Sequence, residues 1–98
     1  MATYLILFSF TQQGIQNIKE SPARVESAKK VFRDVGAEVK AFYAVMGGQY
    51  DTLFIVEAPD DETIAKAALA TGSLGNVRTE THRIFTEDEY REIVGALP

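Results

Sequence analysis

Cysteine is absent from this 98-residue chain, and histidine occurs only once. Without cysteine there is no disulfide framework, no thiol nucleophile and no thiolate-ligated zinc, a composition that fits a reducing cytoplasm. A metal would have to be held by carboxylates almost alone, and Asp60, Asp61 and Glu62 already stand where a helix start wants acids. No metal site and no cofactor are therefore expected. Positive charge is also short: 10 basic against 14 acidic residues give a net charge of -4. There is no field to attract phosphates, so nucleic acid is not expected as a partner. Apolar runs long enough to cross a bilayer are missing too. The apolar start, "MATYLILFSFTQQG", lacks a basic leader and a small-residue cleavage site, and it is expected to be a first strand of a soluble, cytoplasmic protein without a membrane partner.

What is present is an ordinary globular composition, 46% hydrophobic and 24% charged, at a length that predicts one domain over residues 1–98. Tyr4 to Phe10 carries apolar side chains on both parities, which predicts a strand covered on both faces. "TQQGIQNIKE" is a polar connector with room for a short helical turn. Ser21-Pro22 opens a helix whose Val25, Ala28, Phe32 and Val35 recur at spacings of three and four until Gly36. Val39 to Met46 and Tyr50 to Val56 predict two antiparallel strands joined through Gly47-Gly48, where glycine supplies positive backbone angles. An alanine-rich helix follows "APDDE", with acids at the positive end of its dipole. Asn76 to Phe85 alternates as a more polar strand suited to a sheet edge. Thr86 and Glu89 then form a capping box for a short terminal helix, with Phe85 and Tyr90 spaced for a hydrophobic staple.

The order βαββαβ plus a terminal helix is the α+β, ferredoxin-like sandwich, with strands one and three central and two and four at the edges. Two helices cover one sheet face only. Four strands spaced ~4.8 Å apart and ~17 Å long leave a second face with a footprint on the order of 300 Å² and a larger side-chain accessible area, more apolar surface than a soluble monomer usually leaves wet. Two copies stacked sheet to sheet would cover it, so a homodimer with a barrel-like core is expected, with further assembly open. The other arrangement is the terminal helix folding back across its own sheet with Tyr90, Ile93, Val94 and Leu97.

"GGQYDTLFIVEAPDDE" and "GSLGNVRTETHRIF" together resemble the GYD-domain family of small bacterial and archaeal proteins, named for a Gly, Tyr, Asp motif matched by Gly48, Tyr50 and Asp51. The resemblance extends to the "YLILFSFTQQG" strand with its Thr-x-x-Gly exit and to Arg78-Thr79-Glu80-Thr81 in the last strand. It implies the dimeric α/β-barrel variety of the ferredoxin-like fold. The family is largely without an assigned activity. Its fold relatives include cofactor-free monooxygenases, isomerases, haem-binding barrels and ligand-sensing domains of transcription regulators, so fold implies no reaction.

The candidate ligand-binding residues are Tyr43, Tyr50, Asp51, Thr79, Thr81 and His82. Tyr50 and Asp51 would alternate across a strand, so both cannot enter one pocket: either they are structural, the tyrosine filling the core and the aspartate accepting turn amides, or one of them reaches a pocket. Tyr43 across the hairpin would complete the pocket's polar end. His82 is either a general base or a solvated partner of Glu80. Thr79, Thr81 and Arg83 share one parity, either lining a cavity or facing water. Ser9, Ser21, Ser27 and Ser73 lack a nucleophile-elbow context, and "GSLGN" follows a helix and precedes a strand, the reverse of a phosphate loop. Two functions stay open. One is a small-molecule site for an apolar or aromatic metabolite, with a cofactor-free enzyme included. The other is a non-catalytic oligomerisation or ligand-sensing module.

Overall fold

Strand β1 (Ala2–Phe10) is the axis of the molecule in a computed structural model that describes all residues from Met1 to Pro98. It is followed by α1 (Gln12–Gln16), a single 3-10 turn, α2 (Ser21–Asp34), β2 (Glu38–Ala44), β3 (Thr52–Ala58), α3 (Asp61–Gly72), β4 (Val77–Ile84) and α4 (Glu87–Gly95). The sheet order is β2-β3-β1-β4 and every pairing is antiparallel. The ferredoxin-like sandwich read from the sequence is the observed fold, with β1 and β3 central.

Register decides which parity of β1 the helices cover. Tyr4, Ile6 and Phe8 are buried, as are Phe54, Val56 and Ala58 of β3, and they pack under Phe32 of α2 and Ile64 and Ala67 of α3. Phe54 sits at the centre, with the rings of Phe8, Phe32 and Phe42 edge-on to it at 5.0, 5.4 and 6.0 Å, the geometry aromatic quadrupoles favour. Ala67 is fully buried, since its methyl group lets α3 approach the core closely.

The opposite face carries the other parity. Residues directly across an antiparallel pair share a face, so the pairings define two rows, Ala41–Ile55–Leu5–His82 and Tyr43–Leu53–Leu7–Glu80. Leu5, Leu7, Leu53 and Ile55 remain only half-buried, and Tyr43 is 62% exposed. The terminal helix does not cover them. Its capping box forms as read, with Thr86 and Glu89 exchanging both bonds, but none of its residues is buried, and Tyr90, Ile93, Val94 and Leu97 all face solvent. The radius of gyration of 14.6 Å exceeds the ~13 Å of a compact chain of this length. Phe85 and Tyr90, spaced for a staple, are both exposed, and the Arg83 guanidinium stacks 4.4 Å from the Phe85 ring.

Candidate functional site

The Gly-Tyr-Asp stretch lies just outside the sheet, because β3 begins at Thr52 rather than at Tyr50. Gly47 and Gly48 have φ of 83° and 86°, a conformation that disfavours residues with a Cβ, and they turn the chain between β2 and β3. At the end of this loop Asp51 locks onto β1. Its N–H donates to the Phe8 carbonyl, its carbonyl accepts from Val45 N–H, and its carboxylate accepts from the Phe10 N–H at 2.8 Å.

Tyr50 turns the other way, toward β4. The nearby Glu80 carboxylate, acting on its phenol, and then desolvation raise the Tyr50 pKa above its ordinary value. Glu80 also meets His82, whose Nε2 lies 2.6 Å from Oε2. Hydrogen bonding to His82 first, then to Tyr50, holds the Glu80 carboxyl below the usual carboxylate range. Tyr50, Glu80 and His82 thus form a polar cluster on the β4 side of the open sheet face. The sheet rows put Tyr43 on the same face but on the far edge strand.

Thr79 and Thr81 belong to the other face, opposite Phe8 and Ile6. Thr81 and Arg83 flank a shallow, open cleft with Ile64, Ala65, Tyr4 and Asp61. There the Tyr4 hydroxyl donates to Asp61, and this bond, then burial, raises the Tyr4 pKa. The six residues singled out from the sequence therefore do not converge: Tyr43, Tyr50 and His82 share the open face, Thr79 and Thr81 the helix side, and Asp51 is bonded to backbone.

A second cavity, of about 160 Å³, opens between α2 and the sheet. Its walls are Phe8, Phe42 and Phe54 from the sheet and Val25, Ala28 and Val31 from α2, and Arg24, Asn76 and Thr71 border it. Sequence reasoning missed these polar residues. Glu20 and Arg24 stand at the spacing of a surface helix pair, a signal that points away from a site.

The Thr-x-x-Gly exit of β1 proves to be a latch. Thr11 accepts from Gly14 N–H and donates its hydroxyl to the Gly75 carbonyl at 2.6 Å, while Gly14 rests so close to the Asn76 carbonyl that a Cβ would lie 2.0 Å from it.

A four-stranded antiparallel sheet with helices on one face and an open apolar second face defines the ferredoxin-like class of small α+β domains. Within it, residues 4–94 match the GYD domain, and the chain belongs to that family. It is 38% identical over 82 residues to a Thermus thermophilus protein described as a glutamine synthetase and cystathionine beta-lyase binding protein, covering 83% of this chain and 85% of that one. Among solved structures it resembles the leucine response regulatory protein LrpA of Mycobacterium tuberculosis, with a TM-score of 0.64, 18% identity and 87% of this chain covered. A homoserine dehydrogenase from Thiobacillus denitrificans follows at a TM-score of 0.59, 17% identity and 86% of this chain covered. The chain spans 51% of the first of these proteins and 17% of the second. Identities this low establish a shared fold alone. No helix is long and apolar enough to cross a membrane.

Proposed function

We propose that this protein is a self-associating module that binds other proteins and performs no reaction of its own. The observation that carries the reading is the open sheet face, where Leu5, Leu7, Leu53 and Ile55 make two adjoining apolar rows that nothing in the protomer covers. Only 13 of 98 residues are buried in the isolated chain, a thin core for a domain of this size. Stacking two such faces would add a second core. The exposed apolar residues of α4 offer a further contact surface that such a dimer would present twice. The description of the Thermus relative supplies the class of partner, a metabolic enzyme, with glutamine synthetase and cystathionine beta-lyase as the first candidates.

Sizing with light scattering at micromolar concentration, followed by biolayer interferometry against the two enzymes from the same organism, tests this. A dimer that binds either enzyme is the expected result. A monomer at ten micromolar, with no binding to either, overturns the reading.

The cavity under α2 favours a second reading, a small-molecule site in each protomer for an apolar or aromatic compound. An apolar volume with a few polar groups at one end is the common design of such sites.

A further inference from the structure

The α2 cavity has a distinct polar end. Arg24 donates to the carbonyls of Asn17 and Gly14, both at 3.0 Å. Gly14 in turn rests against the Asn76 backbone carbonyl, and Arg24 and Asn76 both line the cavity. Both acceptors of Arg24 are neutral carbonyls. None of the ion pairs in the molecule involves it. The other bases without a carboxylate partner, Lys19, Arg33, Lys66 and Arg78, are exposed, whereas Arg24 is partly withdrawn from water. A guanidinium has five N–H donors, and the two bonds seen leave donors unused. The Asn76 side chain accepts from Gln13 through Oδ1, which turns its amide N–H groups outward from that bond. Thr71 adds a third feature: its hydroxyl is the single buried side-chain polar atom without a hydrogen-bond partner, and the residue is 93% buried in the cavity wall.

We propose that this cavity binds a small monocarboxylate with an apolar or aromatic tail, its carboxylate held by Arg24 and its tail among Phe8, Phe42 and Phe54. The proposal rests on the second reading above, that the cavity is a ligand site, and adds the chemistry of the ligand. Size sets the tail. A dry cavity of ~150 Å³ accommodates benzene, so the 160 Å³ here suits one ring or a branched chain of about six carbons. Charge sets the head. A single partly desolvated guanidinium beside apolar walls matches one planar anion, which it can hold bidentately, and a multiply charged phosphate would find no second cation among the cavity residues. A ligand oxygen within reach of the Thr71 hydroxyl would also give that buried group the partner it lacks.

The test is an amide NMR titration of the full chain with phenylacetate and 4-methylpentanoate, set beside the neutral 2-phenylethanol and 4-methylpentanol. The expected result is saturable shifts at Phe8, Val25, Ala28 and Phe54, with the acids binding about tenfold more tightly than the alcohols. Arg24→Gln should erase that preference. Because Arg24 also braces the connector, two further variants keep the outcome readable. Thr71→Val preserves shape, and it should weaken acid binding about fivefold with the melting temperature unchanged or raised. Ala28→Phe fills the cavity and should abolish binding of all four compounds. Equal affinity for acids and alcohols, or an acid preference that survives Arg24→Gln, leaves the cavity a ligand site and overturns the carboxylate assignment. No saturable shift with any of the four overturns the ligand site as well.

Discussion

Asp51 takes the place of β3 opposite Phe10, whose other side pairs with Val77 of β4. The Asp51 carboxylate accepts the Phe10 N–H at 2.8 Å, while two residues earlier on β1 the Phe8 carbonyl accepts the Asp51 N–H. The β1–β3 pairing ends at Phe8 and Thr52, so without Asp51 the next inward N–H on that edge of the central strand would lack an acceptor. The Asp of the Gly-Tyr-Asp motif therefore fixes where the hairpin loop meets β1. Register matters here because a slip of one residue would exchange the faces of the whole strand.

Asp51→Ala should lower stability by about 1–3 kcal/mol, the cost of an unpaired backbone donor. Asp51→Asn, which keeps a side-chain acceptor, should cost less. Urea unfolding of both variants beside the wild type measures the difference, and equal losses would deny the carboxylate its role.

Leu7 and Phe8 are adjacent but face opposite sides of the sheet, so aspartate at each should act differently. Leu7→Asp puts a charge in the centre of the open face and should give a folded monomer. Phe8→Asp buries a charge beside Phe54 and should cost on the order of 4 kcal/mol or more, leaving little folded protein. Circular dichroism and light scattering on both variants separate loss of association from loss of fold.

Glu80 should show its partners in its titration. Its pKa is depressed in the folded state, chiefly by His82 and then by Tyr50, so the interaction is fully present above the ordinary carboxylate range and is lost as pH falls through the lower folded value. His82→Ala should move the Glu80 carboxyl back toward its ordinary pKa, and Tyr50→Phe should move it less. Carbon-detected NMR of the Glu80 carboxyl across pH 2 to 7, a range set by about two units on either side of an ordinary carboxylate, reads both shifts. An unmoved titration in His82→Ala would break the proposed hierarchy.

Gly14→Ala should be costly and Gly95→Ala should not. A Cβ at Gly14 meets the Asn76 carbonyl, whereas one at Gly95 meets nothing. Backbone would have to shift at Gly14, a loss of about 2–3 kcal/mol by the usual cost of overpacking. Melting temperatures of the two variants make the comparison, with Gly95→Ala expected at the wild-type value.

The order of elements, the central place of β1 and β3, and the Thr86–Glu89 cap were all legible in the sequence, because they follow from periodicity and from residues three or four apart. Alternation along β1 told that its two parities face opposite ways, but both are apolar, so only tertiary packing decided that Tyr4, Ile6 and Phe8 meet the helices and Leu5 and Leu7 the open side. The same holds for the polar groups. The loop before β3 brings Tyr50 to Glu80, and the rows of the sheet part Tyr43 from Thr81. Asp51 meets Phe10 across a separation of 41 residues. Arg24 borders a cavity because a folded connector, and no local pattern, brings Gly14 and Asn76 to its end of α2. Short-range physics wrote the elements into the chain, whereas contacts between distant residues depend on register and on which face is covered, and neither quantity has a signature in neighbouring residues.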